Sequence, residues 1–379
     1  MVDSAVKIER LLTLVGRPMD LLGLNILKPN WRPSVISCVV AALICFQPVL
    51  TINSLVTYRH TLDILIECLS LASIGVQVVT RSYFYLFQRD LCRRVLEELR
   101  GQRDLFGADG NERLERLFRS SVDRMMTFYR LLYGTYLISL SLFIMPLVMP
   151  DPRKYNLPLA FQLPGMPPDE TALFWYVTYI YHVLLVLLAI NHLAPIDAII
   201  MVSLISISTR IGALRVLLDQ LDGQIGEVEW HHTEHLEPVL DRIIELHIDT
   251  KRFTRQIYHS YRMHFFISFG MICSVLCMCL NVIATTPRTS VYPVMAAAAV
   301  ELFVVCYFGN TLLIENDKLP ASVYGVRWYR LTVPQQKKIL FLLANTQPSL
   351  QMSAVYLPVN MTSFVTVCRA AYSYYTLLN

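Results

Sequence analysis

The stretch LPVNMTSFVTVCRAAYSYYTLLN, residues 357–379, decides how this chain is read. A helix of about 20 residues crosses a bilayer, and this stretch is long enough, yet it is the least apolar of the membrane-length runs. Wound as a helix, it places Ser363, Thr366, Ala370, Ser373 and Thr376 three or four residues apart, a stripe of small and hydroxyl side chains. Phe364, Val365, Val367 and Leu378 are expected on the opposite side. Polar groups in contact with lipid are costly, so the stripe faces either protein or a water-filled conduit. Close helix packing through small residues is the alternative to a pore.

Working outward, 54% of the 379 residues are hydrophobic and only 16% charged, too apolar for an ordinary soluble domain. Apolar runs at 34–56, 62–87, 127–149, 172–205, 264–284 and 291–314 bring the expected spans to seven. The fourth exceeds a perpendicular crossing and should tilt or project as a helix. The fold class expected is an all-α integral membrane protein. Basic residues set its direction. Arg89, Arg93, Arg94, Arg100, Arg103, Arg113, Arg116, Arg119 and Arg124 follow the second span, and comparable groups lie before the first, after the fourth and before the last. Only Arg59, Arg153, Lys154 and Arg288 stand against them. The N-terminus is therefore expected in the cytoplasm and the C-terminus outside.

That orientation is opposite to a G-protein-coupled receptor's. The chain also has no Asp-Arg-Tyr at the end of its third span and no Asn-Pro-x-x-Tyr in its seventh. It shows no internal repeat, which weakens a transporter reading. The net charge of +4 is spread out and offers no face for nucleic acid. Nine cysteines, mostly within apolar spans, are expected as reduced, packed thiols. Residues 1–30 lack the compact apolar core of a signal peptide, so the first span is expected to insert the protein.

Between spans, 210–220, 237–261 and 331–344 carry apolar residues at helical intervals and should pack together below the membrane as an anchor. Six prolines between Pro150 and Pro168 make a stiff, non-helical cover on the other side.

Three groups of side chains invite a functional reading. His231, Glu234 and His235 have the spacing of an inverted zinc-protease motif, but in a polar connection without a cleft the expectation is a solvated helix start. No metal or cofactor is expected. Asp63, Glu67, Arg81, Asp197, Glu301 and Arg369 lie within spans, where ionisable groups are functional candidates; Glu301 in particular calls for a buried partner. The third group is aromatic: Tyr133, Tyr136 and Phe143 in the third span, with Phe174, Trp175, Tyr176, Tyr179 and His182 in the fourth. Cavities for small apolar ligands are lined this way, with a few hydroxyls such as Ser73 and Thr178 for orientation. Asn360-Met361-Thr362 matches a glycosylation sequon but falls at the cytoplasmic end of a span, where it should stay unmodified.

The ending Ala371-Tyr372-Ser373-Tyr374-Tyr375-Thr376-Leu377-Leu378 closely resembles the S-Y-S-Y-F-T-L-L terminus of insect odorant receptors. Cys306-Tyr307-Phe308-Gly309-Asn310, Glu315, Lys318, Tyr324, Trp328-Tyr329 and Lys337-Lys338 are similar to the same family's stretch between spans six and seven. The related gustatory receptors typically end in Gln-Phe, which is missing here. The resemblance implies a tuning subunit of a ligand-gated, non-selective cation channel, tetrameric with the shared olfactory co-receptor (Orco). It implies a multi-pass protein in the lipid of the olfactory neuron's plasma membrane, binding a small volatile molecule among the outer halves of spans two to six. By position, Leu377 falls where the family has its outer hydrophobic gate, with Ser373 and Thr376 on the same face and Tyr375 replacing the usual Phe. The division this implies is 1–33 as a cytoplasmic segment, 34–314 as the ligand-binding bundle, 315–356 as the anchor and 357–379 as the pore helix.

Overall fold

The computed structural model describes residues 2–25, 28, 31–107, 111–145, 157, 159, 163–166, 170–227, 233–285, 291–348 and 351–378. They form ten α-helices: α1 (Val2–Leu21), α2 (Val35–Thr57), α3 (Leu62–Phe87), α4 (Arg89–Gly107), α5 (Glu112–Ile144), α6 (Ala172–Glu227), α7 (Glu237–Thr285), α8 (Val291–Gly325), α9 (Val333–Thr346) and α10 (Met361–Leu378). Six of these, α2, α3, α5, α6, α7 and α8, are long and apolar enough to cross a membrane. At 18 residues, α10 is shorter and is not among the six.

The fourth expected span is the middle of a single 56-residue helix, about 84 Å long at 1.5 Å per residue and so far longer than a bilayer is thick. From Ile190 to Leu214 almost every residue of α6 is buried, as befits a helix apolar on all sides. It is the post against which α1, α3, α4, α5, α7 and α8 pack. The helical extension expected after Ile205 is present. So is one that hydropathy missed: α5 starts at Glu112, fifteen residues before the apolar run, capped by Asn111 Oδ1 accepting from the Arg113 N–H at 2.9 Å. Hydropathy also passed over α1. Its Ile8, Leu11, Val15 and Met19 recur at helical spacing and are all buried.

Away from the spans, paired charges join the helix ends. Arg215 Nη1 meets Glu315 Oε2 at 2.6 Å, Arg327 Nη2 meets Asp222 Oδ2 at 2.9 Å, and Lys338 bridges Glu237 and Asp241. The Arg327 hydrogen bonds hold the Asp222 carboxyl below its usual range. Of the candidate metal motif, His231 and His232 lie outside the described residues. Glu234 and His235 are exposed, but Thr233 is buried and its hydroxyl donates to Gln335 Oε1 at 2.7 Å. The helix start is thus docked on α9 rather than fully solvated.

His247 is buried in this part of α7, and burial, followed by the charge of Lys251, lowers its pKa to about 4. The unfolded chain restores the usual value of about 6.5. The stability contribution is therefore intact above that value and is lost as pH falls toward the folded one. The melting temperature of the purified protein should drop across this interval, and His247→Leu should flatten the drop. An identical pH profile in the variant would contradict the assignment.

The last helix begins at Met361, not at Leu357. Leu357–Pro358 pairs with Ser353–Ala354 in a two-residue hairpin whose Val355 has a left-handed φ of 59°. The sequon residue Asn360 caps α10, its Oδ1 accepting from the Ser363 N–H at 3.0 Å. Most of the Pro150–Pro168 cover lies outside the described residues. Its Leu159 is buried against the bundle. All nine cysteines are free thiols; Cys38 and Cys45 are exposed on α2, and the rest are buried or half-buried.

Candidate functional site

Helices α2, α3, α5, α6, α7 and α8 line a half-open cavity of about 180 Å³. Its wall is mostly apolar, with Leu71, Ile74, Phe143, Val186 and Val294, and with Leu159 from the segment between α5 and α6. For scale, an engineered apolar cavity of about 150 Å³ binds benzene. Six polar residues reach the wall: Gln47, Gln77, Tyr136, Ser139, His192 and Glu301. Gly75 makes room for one of them, since a Cβ there would stand 2.7 Å from Gln47 Oε1.

Behind Tyr136 and Glu301 lies a buried charge cluster. Arg81 Nη1 donates to Asp197 Oδ2 at 3.1 Å, and its Nη2 donates to Glu301 Oε1. The Tyr136 hydroxyl stands 3.2 Å from Asp197 Oδ2 and 3.5 Å from Glu301 Oε2, and can donate to one of them at a time. Arg81 is 1% exposed, Asp197 2% and Glu301 7%. The buried partner that Glu301 required is thus Arg81, brought from α3, with Asp197 of α6 sharing it. Nearby, His192 Nε2 lies 2.7 Å from Ser82 Oγ.

The aromatic group divides. Tyr136 and Phe143 line this cavity; Ser73, Tyr133, Phe174, Trp175, Thr178, Tyr179 and His182 do not. Trp175 and Tyr179 are in ring contact at 4.8 Å, and the Tyr179 hydroxyl donates to the Phe143 carbonyl at 2.7 Å. Thr178 and His182 are fully buried beside them, while Phe174 is half-buried. Tyr133 stacks on Tyr129 at 5.9 Å, and Ser73 lies 3.0 Å from Ser274 Oγ across the α3–α7 contact. Sequence reasoning missed Gln47, Gln77 and His192. Each is an uncharged polar residue inside an apolar run, a signal weighed only for charged residues.

On α10, Ser363, Val367 and Ala371 are buried. This face packs on α7 and α8, with the Cys273 thiol donating to the Val367 carbonyl at 3.8 Å and the Phe303 and Phe364 rings 5.8 Å apart. Thr362, Val365, Thr366, Arg369, Ser373 and Thr376 are exposed. The stripe read from the sequence is corrected on both sides. Ser363 leaves it for the packed face, Val365 and Arg369 join the exposed face, and Val367 is buried. The reason is packing: α7 and α8 cover a face turned by about one residue, roughly 100°, from the polar one. The side chain of Leu378 lies outside the described residues. Leu377 is 80% exposed.

The sequence model of the family described as 7tm Odorant receptor matches residues 61–372. Odorant receptor 33a of Drosophila melanogaster is 25% identical over 44% of this chain and 45% of its own length. Odorant receptor 2a of the same organism is 34% identical over 22% of this chain and 21% of its own. The chain therefore matches less than half the length of these relatives. The solved insect olfactory receptor OR5 from Machilis hrabei superposes with a TM-score of 0.80 at 14% identity, covering 98% of each chain. The same receptor in complex with eugenol superposes at 0.79, again covering 98% of each chain. At that identity the likeness is one of fold.

Proposed function

Because this chain belongs to the 7tm odorant receptor family, we propose that it is the odorant-binding, tuning subunit of a ligand-gated, non-selective cation channel, assembled as a tetramer with the shared co-receptor Orco in the plasma membrane of olfactory sensory neurons. The observation that carries this reading is the two-sidedness of α10: one face packs on α7 and α8, and the other is an exposed face of threonines and serines that no other helix covers among the described residues, with Thr366 and Thr376 donating only to carbonyls of α10 itself. In a lipid setting such a face needs water or a neighbouring subunit. With the N-terminus in the cytoplasm, as the basic residues direct, α10 is the seventh span and lines the conduit, residues 34–314 hold the ligand, and residues 315–356 belong to the anchor. Trp328, Tyr329, Val333, Leu340 and Phe341, exposed on the anchor side, supply apolar contact area for neighbouring subunits.

The ligand is a small volatile molecule. A relative of the same fold was solved with eugenol, and a largely aliphatic cavity of about 180 Å³ suits a ligand with a single ring or a short chain. Of the residues weighed from the sequence, Tyr136, Phe143 and Glu301 are at the cavity wall. The cluster of Trp175, Thr178, Tyr179 and His182 stands above it on α6 as the route a ligand takes from outside. A ligand shifts the closed–open equilibrium only through its difference in affinity between the two states. The contact that transmits the shift is α8, with Ala298 and Glu301 on the cavity and Phe303, two residues beyond Glu301 on another face of the helix, against Phe364 of α10. Arg369 stands mid-stripe, and its charge opposes cations in a narrow passage, so the conduit is wide at that level.

Leu377, Ser373 and Thr376 form the outer mouth, with Leu377 as its apolar plug. Leu377→Ala should raise resting current several-fold in cells that also express the co-receptor, because a smaller apolar ring wets more readily. Unchanged resting and ligand-evoked currents would remove Leu377 from the gate. The function as a whole is tested by recording currents with and without the co-receptor over a panel of volatile aromatics, alcohols and esters. Ligand-evoked cation current in the co-expressing cells is the expected result, and saturable substrate uptake without current would contradict it.

A further inference from the structure

Glu301, at the cavity wall, belongs to a cluster of two carboxylates, its own and that of Asp197, and one guanidinium, Arg81. No second cation among the described residues pairs with either carboxylate. Charge in a low-dielectric interior is costly unless compensated, so the two carboxylates and one guanidinium have room for one more positive charge, which a proton or a cationic ligand can supply. Where that charge would sit follows from what is already bonded. Asp197 is turned away from the cavity with Arg81 and Tyr136 both on its Oδ2. Glu301 is at the wall, and its Oε2 has only the 3.5 Å approach of the Tyr136 hydroxyl.

The remaining polar lining sharpens the point. Gln47 donates to Thr51 Oγ1 at 3.0 Å, the Ser139 hydroxyl lies 2.9 Å from the Thr135 carbonyl, and His192 is engaged by Ser82. Gln77 is different: it is 5% exposed, lines the cavity and makes no hydrogen bond among the described residues. Buried amides are rarely left unpaired, and one that faces a cavity is placed to bond an occupant.

We infer that this cavity takes a small amine, its ammonium group seated on Glu301 Oε2 with the Gln77 side-chain carbonyl as a second acceptor, and its apolar body among Leu71, Ile74, Val186 and Val294. The inference rests on reading the cavity as the ligand site, and narrows that reading to one chemical class. A hydrocarbon of the same shape fills the aliphatic part but leaves Gln77 and the surplus charge unanswered. An alcohol answers with one neutral hydrogen bond.

The test compares benzylamine, benzyl alcohol and toluene, which share a ring and differ in the head group. Binding to the purified full chain in complex with its co-receptor is followed by ligand-induced shifts in melting temperature. Benzylamine should bind at least about 10-fold tighter than either analogue, as for a charge-assisted bond in a dry site. Glu301→Gln removes the surplus charge while keeping the side-chain shape, and should erase most of the preference without changing toluene. Gln77→Leu, which touches nothing in the charge cluster, should narrow it independently and serves if the first variant does not fold. Equal affinity for benzylamine and toluene in the unmodified protein overturns the inference. If benzylamine binds with the expected preference but no volatile evokes current, the channel reading fails and the amine site stands. If other volatiles evoke current and benzylamine binds no better than toluene, the amine site fails and the channel reading stands.

Discussion

Replacing Arg81 with methionine should remove most of this protein from the cell surface and lower the melting temperature of what remains. The substitution leaves Asp197 and Glu301 buried together without their guanidinium. Breaking a buried ion pair from one side costs about 3–5 kcal/mol, a large part of the roughly 5–15 kcal/mol by which a folded domain is usually stable. Removing the whole cluster should cost far less, since uncharged partners of the same shape leave no orphaned charge. Arg81→Met combined with Asp197→Asn and Glu301→Gln should therefore recover much of the lost surface expression. Expression of the triple variant as poor as that of the single one would show that Arg81 matters through packing rather than through its charge.

Gly309→Ala is the second large expected effect. A Cβ at Gly309 would stand 2.1 Å from the carbonyl oxygen of Val359, a backbone atom that cannot swing aside. Overpacking a tight contact typically costs about 1–3 kcal/mol and occasionally more. Here the strain falls where α8, whose Ala298 and Glu301 line the cavity, meets the residues leading into α10. On the proposed channel function, the expected outcome is reduced surface expression and loss of ligand-evoked current from the protein that does reach the surface, measured by surface labelling and recording on the same cells. Wild-type currents at wild-type expression would mean that the α8–Val359 contact carries no gating motion.

The membrane architecture was legible because burial in lipid leaves a coarse signal. Six runs of apolar residues became six spanning helices, and the overlong fourth run became the central post. The ends of those helices were less legible. Glu112 to Met126 is charged on its outer side, so hydropathy passed over it, although Leu114, Phe118, Val122 and Met125 show the helical period and are buried. Val2–Leu21 was missed for the same reason. Glu301 announced its need for a partner, but only the fold could show that Arg81, 220 positions away, supplies it. On α10 the hydroxyl residues marked a polar face, yet which edge of it is covered depends on α7 and α8, and that placed Arg369 outward and Ser363 inward. In the cavity, aromatic content pointed to Tyr136 and Phe143 but also to residues that bond among themselves higher on α6. The uncharged polar residues Gln77 and His192 were the better signal, because a buried amide or imidazole in an apolar run has few places to go.

The proposed gating requires α10 to be wet along its exposed face and ligand binding to change that access. Single cysteines at Thr366, Ser373 and Thr376, and at the buried Val367 and Ala371 as controls, can be probed with a positively charged thiol reagent during recording. The account predicts that the reagent alters current at the first three positions, faster with ligand present, and leaves the two controls unaffected. Modification at Ser373 and Thr376 that is absent, or that proceeds at the same rate with and without ligand, would contradict it.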